Sequence, residues 1–386
     1  MKKTICSRRK FLNVAGATAG IWLARPATFF AHPASTNRVA VGLCADYGPP
    51  VLTAMAKLFD QLGGMERLVR GKTVAIKLNL TGNAFERLRY LPQGITHWIH
   101  PDVVGATVHL LAKAGAYRIR LLESPSCTAE PLEEFLLQAN WEPRQFLSAA
   151  SRVEFENTNY LGWGKKYSRF MVPGGGLMFK GYDLNHSYED CDVFVSLAKL
   201  KEHLTAGVTL TMKNCFGITP CTIYGDGSPV DEPGRLPVGG RGPFHSGNRL
   251  PSKSAPAQVD RSGSKEGGYR VPRVVADLVA ARPVHLGIID GIQTMTGGEG
   301  PWAPAYRLVR PGLLIAGTNC VSTDAVGMAL MGFDPMADRG TPPFETSDST
   351  LRLAEQLGVG TRDLRQIEVV GTPIAKAQFP FRSAKT

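Results

Sequence analysis

No two of the seven cysteines stand as C-x-x-C, so neither a ferredoxin-type iron–sulfur cluster nor a zinc ribbon is supported. No segment repeats at a fixed period, which excludes solenoid and propeller arrays. No basic stripe interleaves with aromatics, so the formal net charge of +11 does not read as a nucleic-acid surface. Residues 1–34 contain no acid at all. They do hold Lys2, Lys3, Arg8, Arg9, Lys10 and Arg25, and taking those six charges from +11 leaves +5. A balance of that size suits small anionic ligands. Hydrophobic residues at 43% and charged ones at 20% describe an ordinary globular protein, not a disordered or fibrous one. The 386 residues have room for a sizeable core in one large domain or two.

The N-terminus reads as an address. Ser7-Arg8-Arg9-Lys10-Phe11-Leu12 matches the twin-arginine export signature, and an uncharged segment, Phe11 to Ala24, follows it. That segment is too short to span a bilayer comfortably, and Arg25-Pro26 ends it. Residues 1–34 are therefore expected to be a signal segment, with the twin-arginine machinery as a partner and the periplasm or another extracytoplasmic space as destination. Ala31 and Ala34 are candidate last residues of the signal, although Phe29 and His32 sit where a small residue is wanted. An uncleaved signal would be an N-terminal membrane anchor. This route exports folded proteins, so it permits a cofactor inserted beforehand.

Cys6 lies in the signal, and the other six are Cys44, Cys127, Cys191, Cys215, Cys221 and Cys320. An even number in an exported chain allows disulfides, but a core this large does not require them. Most are expected to be small buried hydrophobes. Cys215 and Cys221 are the pair to test first.

Strand and helix patterns alternate along the chain. Strands are expected at 38–44, 73–80, 119–122, 193–197, 285–289, 313–316 and 367–370. Helices are expected at 50–62, 101–114, near 131–139, and at 271–281, 322–331 and 348–357. The second strand is apolar almost throughout, as befits a strand covered on both faces. The alternation predicts an α/β fold, a largely parallel sheet flanked by helices, as a single domain over residues 38–375. Two stretches break the rhythm. Residues 160–181, rich in glycine, predict a hairpin or loop excursion. Residues 225–269 are a long Gly/Pro/Ser-rich insertion with few apolar residues, expected to be a mobile flap or disordered.

Most of the chemistry lies between Val193 and Pro220. An apolar, strand-like run, Val193 to Leu197, delivers Lys199, Lys201, His203, Lys213, Asn214 and Cys215 into one short stretch. Ligands of parallel sheets sit beyond the carboxyl ends of strands, and this motif begins at such an end. If Ala198–His203 is extended, Lys199, Lys201 and His203 share one face; if it is helical, Lys199 and His203 meet at i, i+4. Thr205, Thr209 and Lys213 recur at intervals of four, which predicts one helical stripe closed near Gly217 and stopped by Pro220. A lysine in this setting holds a carboxylate or phosphate, or forms a covalent link if its pKa is depressed. A histidine there shuttles protons or ligates a metal. Lys77 and Asn79, at the end of the second strand, are expected to point into the same crevice. Asp290 and Glu299, in a glycine-rich stretch after a later strand, are candidates for a metal-binding or basic pair. His97, His100, Asp102 and His109 form a weaker ligand candidate.

Lys199, Lys201, His203, Gly207, Thr209, Lys213, Asn214, Gly217 and Pro220 match a K-x-K-x-H, G-x-T, K-N-x-x-G-x-x-P pattern. In this the chain resembles the prokaryotic family called domain of unknown function 362. Asp290-Gly291 with Glu299-Gly300-Pro301 is similar to that family's second motif. Residues 319–324 with 331–335 are similar to its third. The resemblance implies no established reaction. Some members carry an iron–sulfur module, and this chain has no counterpart to it. The same segment is more remotely similar to the N-terminal domain of nickel-pincer lactate racemases. That likeness implies His203 as a catalytic histidine and Lys213 as a lysine that tethers a cofactor. It departs at Thr211-Met212-Lys213-Asn214, where that family has a glycine-rich stretch.

The resulting expectation is an exported enzyme acting on a small anion such as a hydroxy acid or sugar acid, its isomerase or racemase character implied by the second resemblance alone. His203 is the acid–base group, Lys213 a tether or anchor and Asp290 a base or metal ligand with Glu299. Lys199, Lys201, Asn214, Lys77 and Asn79 bind substrate. A divalent metal or a lysine-linked cofactor is compatible with these residues. The alternative is a non-catalytic extracytoplasmic protein that binds an anion or a metal.

Overall fold

The computed structural model describes residues 37–126, 128–159, 167–228, 237 and 239–382. The signal segment, Cys6 and Cys127 lie outside the described residues.

Fourteen strands are described. Eight make one sheet: β1 (Arg38–Leu43), β2 (Thr73–Lys77), β3 (Arg118–Glu123), β4 (Val153–Asn157), β7 (Val193–Lys199), β10 (Leu286–Gly291), β13 (Leu313–Gly317) and β14 (Glu368–Gly371). The others form small hairpins: β5 (Tyr167–Met171) with β6 (Gly181–Asn185), β8 (Lys201–His203) with β9 (Gly207–Thr209), and β11 (Thr294–Thr296) with β12 (Arg307–Val309). The large sheet runs β14-β1-β13-β10-β7-β2-β3-β4. Its pairings are parallel except on the two sides of β13, which runs antiparallel to β1 and β10. The fold is α/β with a largely parallel sheet.

Alternating residues of each strand serve two cores, because successive side chains leave a strand on opposite faces. Val74, Ile76, Val195, Leu197 and Ile288 pack under helices Pro49–Gln61, Pro101–Lys113 and Leu132–Gln138. Ala75, Phe194, Ile289 and Ile315 face the other way, under helices Gly267–Ala281, Cys320–Leu330 and Thr350–Gln356. Both faces being covered explains why the central strands are apolar throughout. The helix starts follow capping chemistry. Pro101 occupies the first turn behind His100, whose Nδ1 accepts from the Asp102 N–H at 3.1 Å. Asn319 caps its helix by accepting from the Ser322 N–H at 3.0 Å.

Several expectations differ from the structure for identifiable reasons. The helix expected from Val271 begins at Gly267. Pro272 removes one helical N–H, but the carbonyl this would strand, that of Gly268, accepts instead from the Asp348 N–H at 2.8 Å. Strand β4 was not expected: its VEFEN sequence has charges at alternate positions and lies at the sheet edge. The helical stripe through Thr205, Thr209 and Lys213 does not form, since 201–209 is the β8–β9 hairpin. The insertion at 225–269 is packed against the molecule where it is described. Phe244 is fully buried, its ring 4.8–6.0 Å from those of Phe179, Tyr182, Phe216 and Tyr224. No disulfide joins Cys215 to Cys221; both thiols are buried in the core. Among the described residues, no helix is long and apolar enough to cross a membrane.

Candidate functional site

From β2 the chain moves outward through β3 and β4, then returns to lay β7 on the other side of β2. Strand order therefore reverses between β2 and β7, and a crevice opens beyond their carboxyl ends. A cavity of about 400 Å³ occupies it, lined by Lys77, Asn79, Glu123, His203, Thr209, Lys213, Asn214, Arg241, His245, Glu299 and Trp302 among others.

Strand ends build the floor. Lys77 closes β2 and Glu123 closes β3, with Lys77 Nζ 2.5 Å from Glu123 Oε1 and both side chains buried. Burial pushes the lysine down and the carboxyl up, and each charge opposes the other's shift. Gly217 lies against this pair: a Cβ there would stand 2.9 Å from Lys77 Nζ. Asn214 donates through Nδ2 to the carbonyls of Lys77 at 3.2 Å and Leu197 at 3.3 Å. Asn79 Oδ1 accepts from the Lys199 N–H at 3.2 Å. The two asparagines thus tie β2 to β7 while lining the cavity.

The β8–β9 hairpin supplies His203 and Thr209. Its turn passes Gly207 at φ +72°, where a Cβ would also stand 2.5 Å from the Phe344 ring, so only glycine fits. One helical turn, Thr211–Asn214, then carries Lys213. Asp324 holds that turn by accepting from the Thr211 N–H at 2.8 Å, the Thr211 hydroxyl at 2.5 Å and the Met212 N–H at 2.9 Å. Burial lifts its carboxyl to about 7, against these donors.

The unfilled hydrogen-bonding capacity of the cavity decides what it suits. Lys213 Nζ has no hydrogen-bond acceptor among the described residues and lies 4.2 Å from the centroid of the Phe216 ring. Burial, then the charges of Arg241 and Lys77, bring it down to about 7 against the pull of Glu299. His203 Nδ1 accepts from the Thr205 N–H at 3.1 Å, which places the neutral ring's proton on Nε2. Burial first, then Lys213, holds this ring well below its ordinary range, despite Glu299 Oε2 at 3.8 Å. His245 shows the opposite arrangement. Its Nδ1 lies 3.0 Å from the Arg241 carbonyl, which can only accept, so Nε2 keeps its lone pair. Burial, then Lys213, brings His245 to about 4. Arg241 donates through Nε to the Thr219 carbonyl at 3.0 Å and through one terminal nitrogen to the Ser124 carbonyl at 3.1 Å, leaving its other terminal nitrogen without an acceptor among the described residues. The Thr209 hydroxyl is buried with no hydrogen-bond partner among the described residues.

The carboxylates, in contrast, are already engaged. Glu299 accepts from the Leu204 N–H at 2.9 Å and the Trp302 indole at 2.7 Å. Burial alone would raise it, but His203, those two donors and Lys213 outweigh burial and bring it to about 2. Glu86, also in the lining, accepts from the Asn83 N–H at 2.7 Å. The cavity therefore offers a guest more open donors than open acceptors.

Three of the residues expected in the site lie outside the cavity. Lys199 is fully buried and donates to Asp290 Oδ2 at 2.9 Å, the Gly94 carbonyl at 2.6 Å and the Tyr47 hydroxyl at 2.9 Å. Lys201 donates to the carbonyls of His97 at 2.6 Å and Glu299 at 2.9 Å and to Thr81 Oγ1 at 3.1 Å. Neither is an open anion clamp. Asp290 is ringed by donors: Lys199, the Tyr47 hydroxyl and the N–H groups of His100 and Ile292. No lone pair faces the cavity, and an ammonium stands where a cation would, so Asp290 does not fit as a base or as a metal partner of Glu299. His97, His100 and His109 do not converge. His97 is buried beside Thr96, His100 caps a helix, and His109 lines a separate shallow cavity with Asp102. Among the described residues, no three His, Cys, Asp or Glu side chains are grouped to hold a metal.

Glu123, Arg241, His245 and Trp302 also line the cavity, beyond the residues expected from the sequence. Glu123 was findable, because it ends β3 as Lys77 ends β2. Arg241 and His245 lie in the Gly/Pro/Ser-rich stretch, and nothing in their spacing announces them.

The family described as domain of unknown function 362 matches residues 74–329, about two thirds of the sequence. The chain belongs to this domain of unknown function 362 family. The matched span runs from β2 through the helix that Asn319 caps, so it contains every family motif residue up to that helix. Among curated proteins none matches. A crystal structure of a Thermotoga maritima protein is similar at 13% identity, covering 69% of this chain and 55% of that one, with a TM-score of 0.34. The aligned part is thus about half of that protein's length.

Proposed function

We propose that the cavity binds a small organic anion and that His203 and Lys213 move protons on it, which makes the chain an exported enzyme of isomerase or racemase type. The observation that carries this reading is the open donor set. Among the described residues, Lys213 Nζ, His203 Nε2 and one terminal nitrogen of Arg241 have no acceptor, whereas Glu123 and Glu299 are satisfied. Partly buried donors of this kind are stabilised by an acceptor-rich guest. His245 Nε2 offers one acceptor, which matches a hydroxyl on the same guest. Carboxylate plus hydroxyl is the pattern of a hydroxy acid or sugar acid. An amine near 7 beside a neutral imidazole is also suited to taking and returning a proton near neutral pH. Export rests on the Arg8-Arg9 signature.

The test is calorimetric titration of purified protein with D- and L-lactate, gluconate, glucuronate and inorganic phosphate, followed by optical rotation and proton NMR of each binder. Binding of a hydroxy or sugar acid, weakened at least tenfold in Lys213→Met, with slow exchange of its α-proton lost in His203→Gln, supports the proposal. Binding without any exchange leaves a non-catalytic binding protein. No binding, or binding unaffected by both substitutions, overturns it.

A further inference from the structure

Four lysines reach the carboxyl end of this sheet, and three of them are used by the protein itself. Lys77 is bonded to Glu123, Lys199 to Asp290 and Lys201 to two carbonyls and a hydroxyl. Lys213 differs in kind: it faces the cavity with an apolar ring beneath it and, among the described residues, no acceptor. A lysine meant only to hold charge gains from acceptors, as its three neighbours do. A lysine kept from acceptors retains its lone pair for use on the guest.

From this arrangement we propose that Lys213 is a nucleophile that captures the carbonyl group of a small carboxylated aldehyde or ketone, a 2-oxo acid or an open-chain uronic acid, as an imine. The proposal rests on the anion-binding reading above and adds a bond to it. The Nζ lone pair attacks the carbonyl carbon. The His203 Nε2–H hydrogen-bonds the developing oxyanion, and the proton released by Nζ passes to that oxygen, giving a carbinolamine. The nitrogen lone pair then expels the hydroxyl, which leaves as water with the remaining Nζ proton. One amine and one carbonyl become one imine and one water, and no oxidant or reductant enters. The imine draws electrons from the neighbouring carbon and makes its proton removable, which is what an isomerase acting on such a substrate requires. Burial that holds Lys213 near 7 leaves a large share of it neutral at neutral pH. The unpartnered Thr209 hydroxyl in the same lining is a further group waiting on a guest.

The experiment is reductive trapping. The protein is incubated at pH 7.5 with pyruvate, glyoxylate or glucuronate and sodium cyanoborohydride, and then analysed by intact and peptide mass. The expected result is one adduct per chain, heavier by the probe less one oxygen, on the peptide containing Lys213 and absent in Lys213→Arg and Lys213→Met. His203→Gln should slow its formation at least tenfold. Adducts no more frequent at Lys213 than at exposed lysines would overturn the proposal. Lactate titration separates this failure from that of the underlying reading, because lactate has no carbonyl to trap. Lactate bound by wild type and by Lys213→Arg without any adduct sinks the imine alone, whereas no lactate bound and no adduct formed sinks both. Circular dichroism of each variant confirms that loss of the adduct is not loss of the fold.

Discussion

A buried ammonium without acceptors is costly, so the contrast between Lys199 and Lys213 carries much of the account at the scale of residues. Lys199 and Asp290 satisfy each other at 2.9 Å, both fully buried. Replacing Lys199 by Met should leave Asp290 charged and uncompensated, costing roughly 3–5 kcal/mol in urea unfolding. Adding Asp290→Asn should recover most of that loss, and an undiminished loss in the double variant would contradict the pairing. For Lys213 the sign is reversed. Its folded value near 7 lies below the ordinary 10.5, so the unfolded chain binds more protons between those values and stability rises with pH across that window. Lys213→Met should therefore raise stability at pH 7 or below, by up to about 5 kcal/mol, and flatten the climb above it. Unfolding curves at pH 6, 7.5 and 9 check both statements. The spacing of these cations along one segment was visible in the sequence, but alternation along a strand could not tell the used from the open. Lys199 and Lys201 both turn toward residues 94–97, while His203 enters the cavity, because their acceptors come from segments a hundred residues away.

At the scale of elements, a single helical turn positions Lys213, and a turn that short has no stability of its own. Asp324 supplies it by bonding Thr211 and Met212 from the helix Cys320–Leu330 packed against it. Asp324→Ala strands two buried N–H groups, so it should cost roughly 2–4 kcal/mol and weaken anion binding although Asp324 does not line the cavity. Calorimetric titration of the folded fraction checks this, and unaltered affinity would contradict the positioning role. The long helices and central strands were legible because proline starts, glycine stops and apolar runs report directly on backbone and burial. The stretch after His203 has helical spacing but is not a helix. Its four-residue spacing of Thr205, Thr209 and Lys213 is a coincidence of a hairpin followed by one helical turn, and the tertiary cap that makes that turn lies in a distant segment. Likewise Arg241 and His245 reach the cavity because Phe244, between them, is pinned by four aromatic rings. Only assembly reveals that anchor.

Over the whole molecule, the reversal of strand order between β2 and β7 fixes where the cavity lies, and alternation of strands and helices predicted the sheet but not that order. The antiparallel β13 was not foreseeable from its apolar sequence, because a strand buried on both faces reads the same in either direction. The positive charge of the whole chain divides in the same way, with six charges in the first 34 residues and a milder excess beyond. If those residues address the chain to the twin-arginine route, Arg8→Lys with Arg9→Lys should keep a full-length precursor in the cytoplasmic fraction. Unchanged appearance outside the cytoplasm would contradict the address.

The most direct measurement is the titration of Lys213 itself. Protein carrying carbon-13 at lysine side chains, with the Lys213 resonance assigned by its loss in Lys213→Met, is followed by NMR from pH 5 to 11. A midpoint near 7 is expected, displaced upward when a small carboxylate occupies the cavity. A midpoint near the ordinary 10.5, unmoved by any carboxylate, would mean that this lysine is a solvated surface cation and that the cavity is not a site.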